Sequence, residues 1–195
     1  MAHRQPDHPV DPLFVERWSP RAFDGLEMPE ADLLTMLEAA RWAPSAFNSQ
    51  PWRFLYARRG EPDWERFLDL LVPFNRSWAQ SASALVYILS DTLPFTDKAG
   101  EPATSHTHSY DAGAAWACFA LQATRLGYQA HGMSGVDFER ARTELGVPER
   151  YRIEASAAVG RIGDPETLPE KLRAREVPSG RKAVSEFAFR GGWPD

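Results

Sequence analysis

Cysteine is almost absent from this chain, since Cys118 is the only one among 195 residues. A single cysteine excludes a disulfide within the chain and a metal cluster built on several thiolates, and it is typical of a protein of the reducing cytoplasm. The chain also lacks a run of about 18 consecutive apolar residues, so the sequence predicts no membrane-spanning segment. Residues 1–12 have no apolar centre. They are predicted to form a loose N-terminal arm and not a signal peptide.

Positive charge is also scarce. The chain has 22 lysines and arginines against 27 acidic residues, a net charge of -5. This balance argues against nucleic acid as the main partner, because nucleic acid binding needs a basic surface. Neither a G-x-G-x-x-G fingerprint after a strand, nor a P-loop lysine, nor a G-x-S-x-G elbow is found. A Rossmann nucleotide site and a serine hydrolase are therefore not indicated.

What the chain does have is an ordinary globular composition with many aromatic residues. Hydrophobic residues make up 43%, charged residues 25% and aromatic residues 12% of the sequence. The length and these fractions predict a single domain over residues 1–195. An aromatic surplus of this kind suits a flat ligand or a large subunit interface.

Helix and strand patterns alternate along the chain. Pro29 opens a helix with apolar residues on one face, and Pro44 ends it because proline disfavours helical geometry in the preceding residue. The apolar run at 84–90 predicts a strand that is buried on both faces, and residues 109–127 predict a long helix closed by Gly127. A polar loop is predicted between them, and the last thirty or so residues are predicted to be an arm packed on a neighbour. The alternation predicts a central sheet flanked by helices.

Three short polar motifs could hold a ligand, and each has a simpler interpretation. Arg17, Ser19 and Arg21 form an R-x-S-x-R turn that could cradle a phosphate or could be a solvated arm. Ser45, Asn48 and Gln50 could meet the edge of a heteroaromatic ring or could cap the helix. Asn75 likewise either reaches a ligand or caps a turn.

The remaining candidates are weaker. Glycines flank Met133 and Ser134 in "HGMSGVD" and could let the backbone approach a flat ring, although a plain turn is an equal interpretation. "SGRK" at 179–182 is a second candidate for anion binding. The pair His106 and His108 has a metal-ligand spacing, but no further ligand completes it, so no metal site is predicted. Cys118 is predicted to be a core thiol.

Taken together, these motifs resemble the FMN-dependent nitroreductase family over nearly the whole chain. The resemblance rests on "RWSPRAF", "LLTMLEAARWAPSAFNSQPWRF", "NRSWAQSASALV", "DAGAAWACFALQATRLGYQAHGMSGVD", "AAVGRIG" and "GRKAVSEF". Its most recognisable part is a helix that ends in A-P-S-x-x-N-x-Q-P-W.

The resemblance implies a set of FMN-binding residues. In the family, the R-x-S-x-[RK] turn holds the FMN phosphate and ribityl chain. The matching residues here are Arg17, Trp18, Ser19 and Arg21. A basic pair near the C-terminus reaches the phosphate, and Arg181 and Lys182 match it.

Further residues are implied to line the flavin ring. A loop of the partner subunit supplies Pro44, Ser45, Ala46 and Asn48, and Asn75 matches an asparagine that bonds the pyrimidine end. The turn that runs along the ring near N5 corresponds to His131, Gly132, Met133, Ser134 and Gly135.

The resemblance also implies the fold, assembly and activity. The expected fold is α+β and nitroreductase-like, a central mixed, mostly antiparallel sheet flanked by helices, in an intertwined homodimer with a C-terminal arm. The expected activity is ping-pong transfer of a hydride from NAD(P)H through FMN to an electron-poor acceptor such as a nitroaromatic or a quinone. No acid–base side chain is required for that step, so no catalytic residue is assigned. The alternatives are reductive dehalogenation, breakdown of the flavin, and non-enzymatic FMN binding or storage.

Overall fold

The computed structural model describes residues 4–194 and places six strands in them. They are β1 (Trp52–Arg58), β2 (Ala84–Asp91), β3 (Phe95–Thr96), β4 (Pro102–Ala103), β5 (Gln129–Met133) and β6 (Tyr151–Gly160). The main sheet has the order β1-β2-β6-β5, and each of its neighbouring pairs is antiparallel. The predicted α+β sheet is confirmed.

The helices lie between these strands along the chain. They are α1 (Pro12–Glu16), α2 (Glu30–Arg41), α3 (Trp64–Asp69), α4 (Pro73–Ala79), α5 (His108–Arg125), α6 (Phe138–Glu144) and α7 (Glu170–Arg173). Pro29 precedes α2 as predicted, but α2 ends three residues before Pro44. Gly127 follows α5 with a φ of +80°. This left-handed conformation at a helix C-terminus is the reason for glycine at that position.

Strand β2 is buried along its whole length because both of its faces are covered. Leu85 and Tyr87 pack with Phe67 and Trp78 of α3 and α4 on one face. On the other face, Val86 packs in the cluster formed by α2 and α5. A strand covered on both faces loses the usual alternation of polar and apolar residues, which confirms the prediction made from its continuous apolar run.

The polar segment between β2 and α5 is not a plain loop. It contains the hairpin formed by β3 and β4, in which Phe95 pairs with Ala103. The segment starts from an anchored residue, because the buried carboxylate of Asp91, the last residue of β2, accepts hydrogen bonds from the Arg150 guanidinium. The sequence pattern missed this hairpin because its strands are two residues long and too short for any periodicity.

The chain after α7 leaves most of its side chains exposed. Several of them are large and apolar, including Phe187 at 63% and Trp193 at 86% exposure. In residues 4–194 there is no helix with both the length and the apolar character that crossing a membrane requires.

Candidate functional site

A cavity of about 330 Å³ lies beside edge strand β5, where the N-terminal and C-terminal segments meet. The turn after α1 forms one wall, β5 contributes His131, and the chain after α7 forms the opposite wall. The lining residues are Arg4, Arg17, Trp18, Ser19, Arg21, His131, Arg175, Val177, Ser179 and Arg181. Residues far apart in the sequence therefore meet at one site.

Six of the sixteen predicted site residues line this cavity. They are Arg17, Trp18, Ser19, Arg21, His131 and Arg181. The structure does not bring Lys182 to it, although Lys182 follows Arg181 directly and is exposed. The loop residues Pro44, Ser45, Ala46 and Asn48, the residue Asn75 and the turn residues Gly132, Met133, Ser134 and Gly135 lie outside its lining as well.

The cavity concentrates positive charge in an acidic protein. Burial lowers the pKa of Arg17, and the nearby charges of Arg181 and Arg4 lower it further. Burial also lowers the pKa of Arg21, with a contribution from Arg175. Five guanidinium groups thus repel one another across a small volume, and an anion with several oxygens would relieve that repulsion.

Glu176 fixes the backbone at the floor of the arginine cavity, next to Arg21, and the sequence motifs did not predict this residue. Its Oε1 accepts hydrogen bonds from the backbone N–H groups of Arg21 and Ala22, at 2.6 Å and 2.9 Å. Its Oε2 lies 3.9 Å from Nη1 of Arg21. No sequence signal could have found this residue, because it lies in a segment without periodicity and acts on a turn about 155 positions earlier.

Two buried polar atoms at this floor are unsatisfied. Among residues 4–194, Nε of Arg21 and Oε2 of Glu176 have no hydrogen-bond partner. A buried polar group without a partner costs about 1–3 kcal/mol, and charged groups cost more. Five further side-chain atoms of residues 4–194 are buried without a partner, so these two point to a ligand only in combination with the arginine-lined cavity.

His131 lies between the arginines and the core. Its Nδ1–H donates to the carbonyl oxygen of Pro20 at 2.8 Å, since that oxygen can only accept. Its ring packs on Trp78 with the centroids 4.6 Å apart. Burial lowers its pKa to about 4, and the charges of Arg21 and Arg17 act in the same direction. The imidazole is therefore neutral near pH 7, and Nε2 can accept a hydrogen bond.

This depressed pKa predicts a loss of stability on acidification. An unfolded histidine, with a pKa of 6.5, takes up a proton before the folded His131 does, so stability falls as the pH drops from about 6.5 towards about 4. Between pH 7 and pH 5, the free energy of unfolding of the wild type should fall by about 2 kcal/mol more than that of His131→Asn. Urea unfolding at both pH values measures this difference. Equal losses in the two proteins would contradict the assignment.

The predicted ring-binding loop at 44–50 is strained and faces outwards. Phe47, Asn48 and Gln50 all have positive φ values, near +50°, which are uncommon for residues other than glycine. The loop is held by the Ser45 hydroxyl, which accepts from the Gln50 N–H at 3.0 Å. The side chain of Phe47 is 95% exposed and meets Phe95 of the hairpin edge-on at 5.8 Å. Strain that is kept in an exposed loop is typical of functional segments.

Asn75 lies in α4 and contacts the turn after β5. Its Nδ2–H donates to the carbonyl oxygen of Gly135 at 3.2 Å. A Cβ atom at Gly135 would overlap Nδ2 of Asn75 and would approach Cγ2 of Val72 within 2.8 Å. Gly135 therefore serves the packing of α4 against this turn. In this chain Asn75 positions the turn, and its contact with a ligand stays a prediction.

The other sequence candidates have structural roles. His108 shares a hydrogen bond with the buried Ser90 hydroxyl through Nδ1, at 2.7 Å. The part of the chain that the structure describes contains no group of three or more histidine, cysteine or acidic residues arranged to hold a metal ion. Cys118 is half-buried and packs against the cluster between α2 and α5.

Comparisons with known proteins agree with the motifs. The sequence profile of the Nitroreductase family matches residues 15–73 and 64–161. A solved structure described as an oxidoreductase containing FMN is 49% identical, with a TM-score of 0.95 over 98% of this chain and 96% of that one.

Two curated relatives are also similar over most of their length. A protein of Mycolicibacterium smegmatis, described as an uncharacterized 15.4 kDa protein in the ask 5' region, is 34% identical over 149 residues, which are 72% of this chain and 97% of that protein. The NADH dehydrogenase of Thermus thermophilus is 30% identical over 174 residues, which are 75% of this chain and 83% of that protein. From the profile match and these relatives, this chain belongs to the nitroreductase family.

Proposed function

We propose that this chain is a single-domain flavoprotein of the cytoplasm that binds FMN and passes a hydride from NAD(P)H to an electron-poor acceptor, such as a nitroaromatic or a quinone. The observation that carries the proposal is the convergence of the R-x-S-x-R turn and Arg181 on one arginine-lined cavity. The similar structure described as containing FMN supports the choice of cofactor.

The residues of the cavity fit the FMN phosphate. A phosphate dianion needs several donors, and the guanidinium groups of Arg17, Arg21, Arg175 and Arg181 could supply them in a cavity of about 330 Å³, to which Arg4 adds a fifth positive charge. The unsatisfied Nε of Arg21 is a donor without a partner among the described residues. Glu176 bounds the phosphate site on the side of Arg21. Its carboxylate fixes the backbone of Arg21 and Ala22, and its negative charge disfavours binding of an anion beyond Arg21.

When bound, the flavin supplies the hydride chemistry, and the protein supplies binding, orientation and electrostatics. Arg17 and Ser19 are joined through Nη1 and Oγ, at 3.4 Å, and present a guanidinium and a hydroxyl together. His131 would offer Nε2 as a neutral acceptor next to the cations. The hydride transfer itself needs no proton-transferring pair of side chains.

We further propose that the site is completed by a second copy of the chain. The loop at 44–48 does not line the arginine cavity of its own chain. The side chains of Phe47, in this loop, and Trp42, just before it, are exposed and form an apolar surface. In a homodimer, this loop would line the flavin of the partner, and the exposed C-terminal arm would pack on the partner.

A monomeric variant should therefore bind FMN at least tenfold more weakly than the dimer. The physical reason is that each site would lose the contacts made by the neighbouring loop, and a few lost contacts are worth about 1.4 kcal/mol or more. Sedimentation velocity with absorbance at a flavin wavelength measures assembly and FMN content together. A monomer that keeps tightly bound FMN would show that the loop serves its own chain.

The hairpin at 95–103 should influence the choice of acceptor, because Phe95 contacts the exposed Phe47. Deletion of residues 94–103 is expected to change the ratio of kcat/KM between a small quinone and a bulky nitroaromatic severalfold. NADH oxidation without added acceptor serves as the control and should change little. An unchanged ratio would remove the hairpin from the substrate site.

Rapid mixing of prereduced, FMN-loaded protein with a panel of acceptors tests the proposed activity. Fast reoxidation by nitroaromatics or quinones, together with steady NAD(P)H oxidation, is the expected result. Release of halide or loss of the flavin chromophore would favour the dehalogenating or flavin-degrading alternatives. FMN binding without turnover would favour a storage protein, and purified protein that cannot bind FMN would exclude the whole proposal.

A further inference from the structure

Arg4 joins two segments that the sequence predicts to be separate arms. Its Nη1 donates to the carbonyl oxygens of Val15 and Arg17, at 2.8 Å and 2.7 Å. Its Nε donates to the carbonyl oxygen of Ser179 at 2.9 Å. One guanidinium thus connects the wall of the cavity that carries Arg17 to the opposite wall, which contains Ser179, 175 residues after Arg4.

The segment that Arg4 holds has little other support. The side chains of Arg175, Val177 and Ser179 are exposed, whereas Glu176 anchors the start of the segment by its buried carboxylate. A second contact reinforces the connection further on, because Oδ2 of Asp7 accepts from the Val184 N–H at 3.2 Å. The N-terminal arm therefore contacts the C-terminal segment at two points, 179 and 184.

The positive charge of Arg4 is repelled by the other arginines of the cavity. The nearby charge of Arg181 lowers the pKa of Arg4, after a larger effect of burial, and Arg4 in turn lowers the pKa of Arg17. The two walls therefore hold Arg4, Arg17 and Arg181 close together against their mutual repulsion. A dianion among them would convert that repulsion into attraction.

We infer that Arg4 is a clasp whose closure is linked to a bound phosphate group. It positions Arg181 and Arg17 on opposite sides of the phosphate by hydrogen bonding to the backbone of both walls, and the phosphate stabilises the closed arrangement in return. By thermodynamic linkage, the closed clasp strengthens phosphate binding by the same free energy by which bound phosphate stabilises the closed clasp. The identity of the phosphate as that of FMN rests on the proposed function, but the clasp itself requires only the phosphate.

Titration of flavin-free protein with FMN and with riboflavin tests the clasp, with quenching of flavin fluorescence as the readout. Arg4→Ala should bind FMN about tenfold more weakly than the wild type, whereas its affinity for riboflavin, which has no phosphate, should change less than about twofold. Arg4→Lys keeps the positive charge but cannot donate as a planar fork to both walls. Its affinity for FMN should therefore lie between those of the wild type and Arg4→Ala.

Arg66→Ala is the matched control. It removes the same charge from an exposed ion pair with Asp63, in α3, and should leave both affinities unchanged. Wild-type affinity for FMN in Arg4→Ala would overturn the clasp. So would an equal loss of FMN and riboflavin affinity, because that result would indicate general damage to the fold.

Thermal melting in inorganic phosphate separates the clasp from the flavin proposal. At constant ionic strength, phosphate in place of chloride should raise the Tm of the flavin-free wild type, and should raise that of Arg4→Ala and Arg4→Lys less. If the wild type failed to bind FMN but kept this Arg4-dependent effect, the proposed function would fail and the clasp would stand. A wild-type Tm that does not respond to phosphate would overturn the clasp.

Discussion

Arg17→Ala should lose FMN affinity by on the order of 10- to 100-fold, the range expected when a hydrogen-bonded contact to a charged group is removed. Arg17 is half-buried at the wall of the cavity, and its guanidinium already approaches the Ser19 hydroxyl. Its pKa is lowered by burial and further by the nearby charges of Arg181 and Arg4, so a bound anion would favour the charged form of Arg17. FMN is the ligand that would supply the missing charge.

The measurement is a fluorescence titration with FMN and riboflavin at two salt concentrations. The loss should be confined to FMN, and the residual FMN affinity of Arg17→Ala should depend less on salt than that of the wild type, because one ionic contact has been removed. Arg66→Ala again controls for the change in net charge. If Arg17→Ala bound FMN as the wild type does, the phosphate could not lie in this cavity.

Gly163→Ala should be the most destabilising of the single substitutions considered for the fold, at about 3 kcal/mol. A Cβ atom at this position would overlap the carbonyl group of Phe23, which is backbone and cannot rotate away. The two segments are also joined by hydrogen bonds, in which the Gly163 N–H donates to the Ala22 carbonyl oxygen at 2.9 Å. Any shift of Phe23 away from Gly163 also moves the neighbouring backbone of Arg21 and Ala22, so the affinity for FMN should fall as well.

Gly160→Ala provides the graded comparison. Its Cβ atom would meet the ring of Phe23, with Cδ1 at 2.8 Å, and a ring can move more easily than backbone. Thermal melting should place Gly163→Ala about 10 °C below the wild type, and Gly160→Ala should fall between them. A Cβ atom at position 192 would have open space around it, so Gly192→Ala should have the same Tm as the wild type. A Gly163→Ala protein within 2 °C of the wild type would contradict the close approach of these segments.

Local sequence patterns predicted most of the secondary structure correctly. The buried β2 and the long α5 with Gly127 after it both follow from side-chain chemistry within a few residues. The hairpin at 95–103 was missed because its pairing depends on a turn and not on a periodic pattern.

The candidate site was only partly predictable. The spacing of Arg17, Ser19 and Arg21 is local, and it was found. Arg4, Glu176 and Arg175 lie in segments without a period, and their role depends on contacts across more than 150 residues. Such contacts leave no local signal in a single sequence.

The sequence by itself therefore determined the family and the order of the longer helices and strands, because each depends on residue types at short, fixed spacings. It also singled out the R-x-S-x-R turn, which we propose to bind phosphate. Only the tertiary structure decided that Arg181 reaches the cavity while Lys182 does not, and that Arg4 bridges its walls. The physical reason is that these relations depend on how the two ends of the chain pack together. Hydrogen bonds to backbone carbonyl groups hold them there, and any residue in the sequence can supply such a carbonyl.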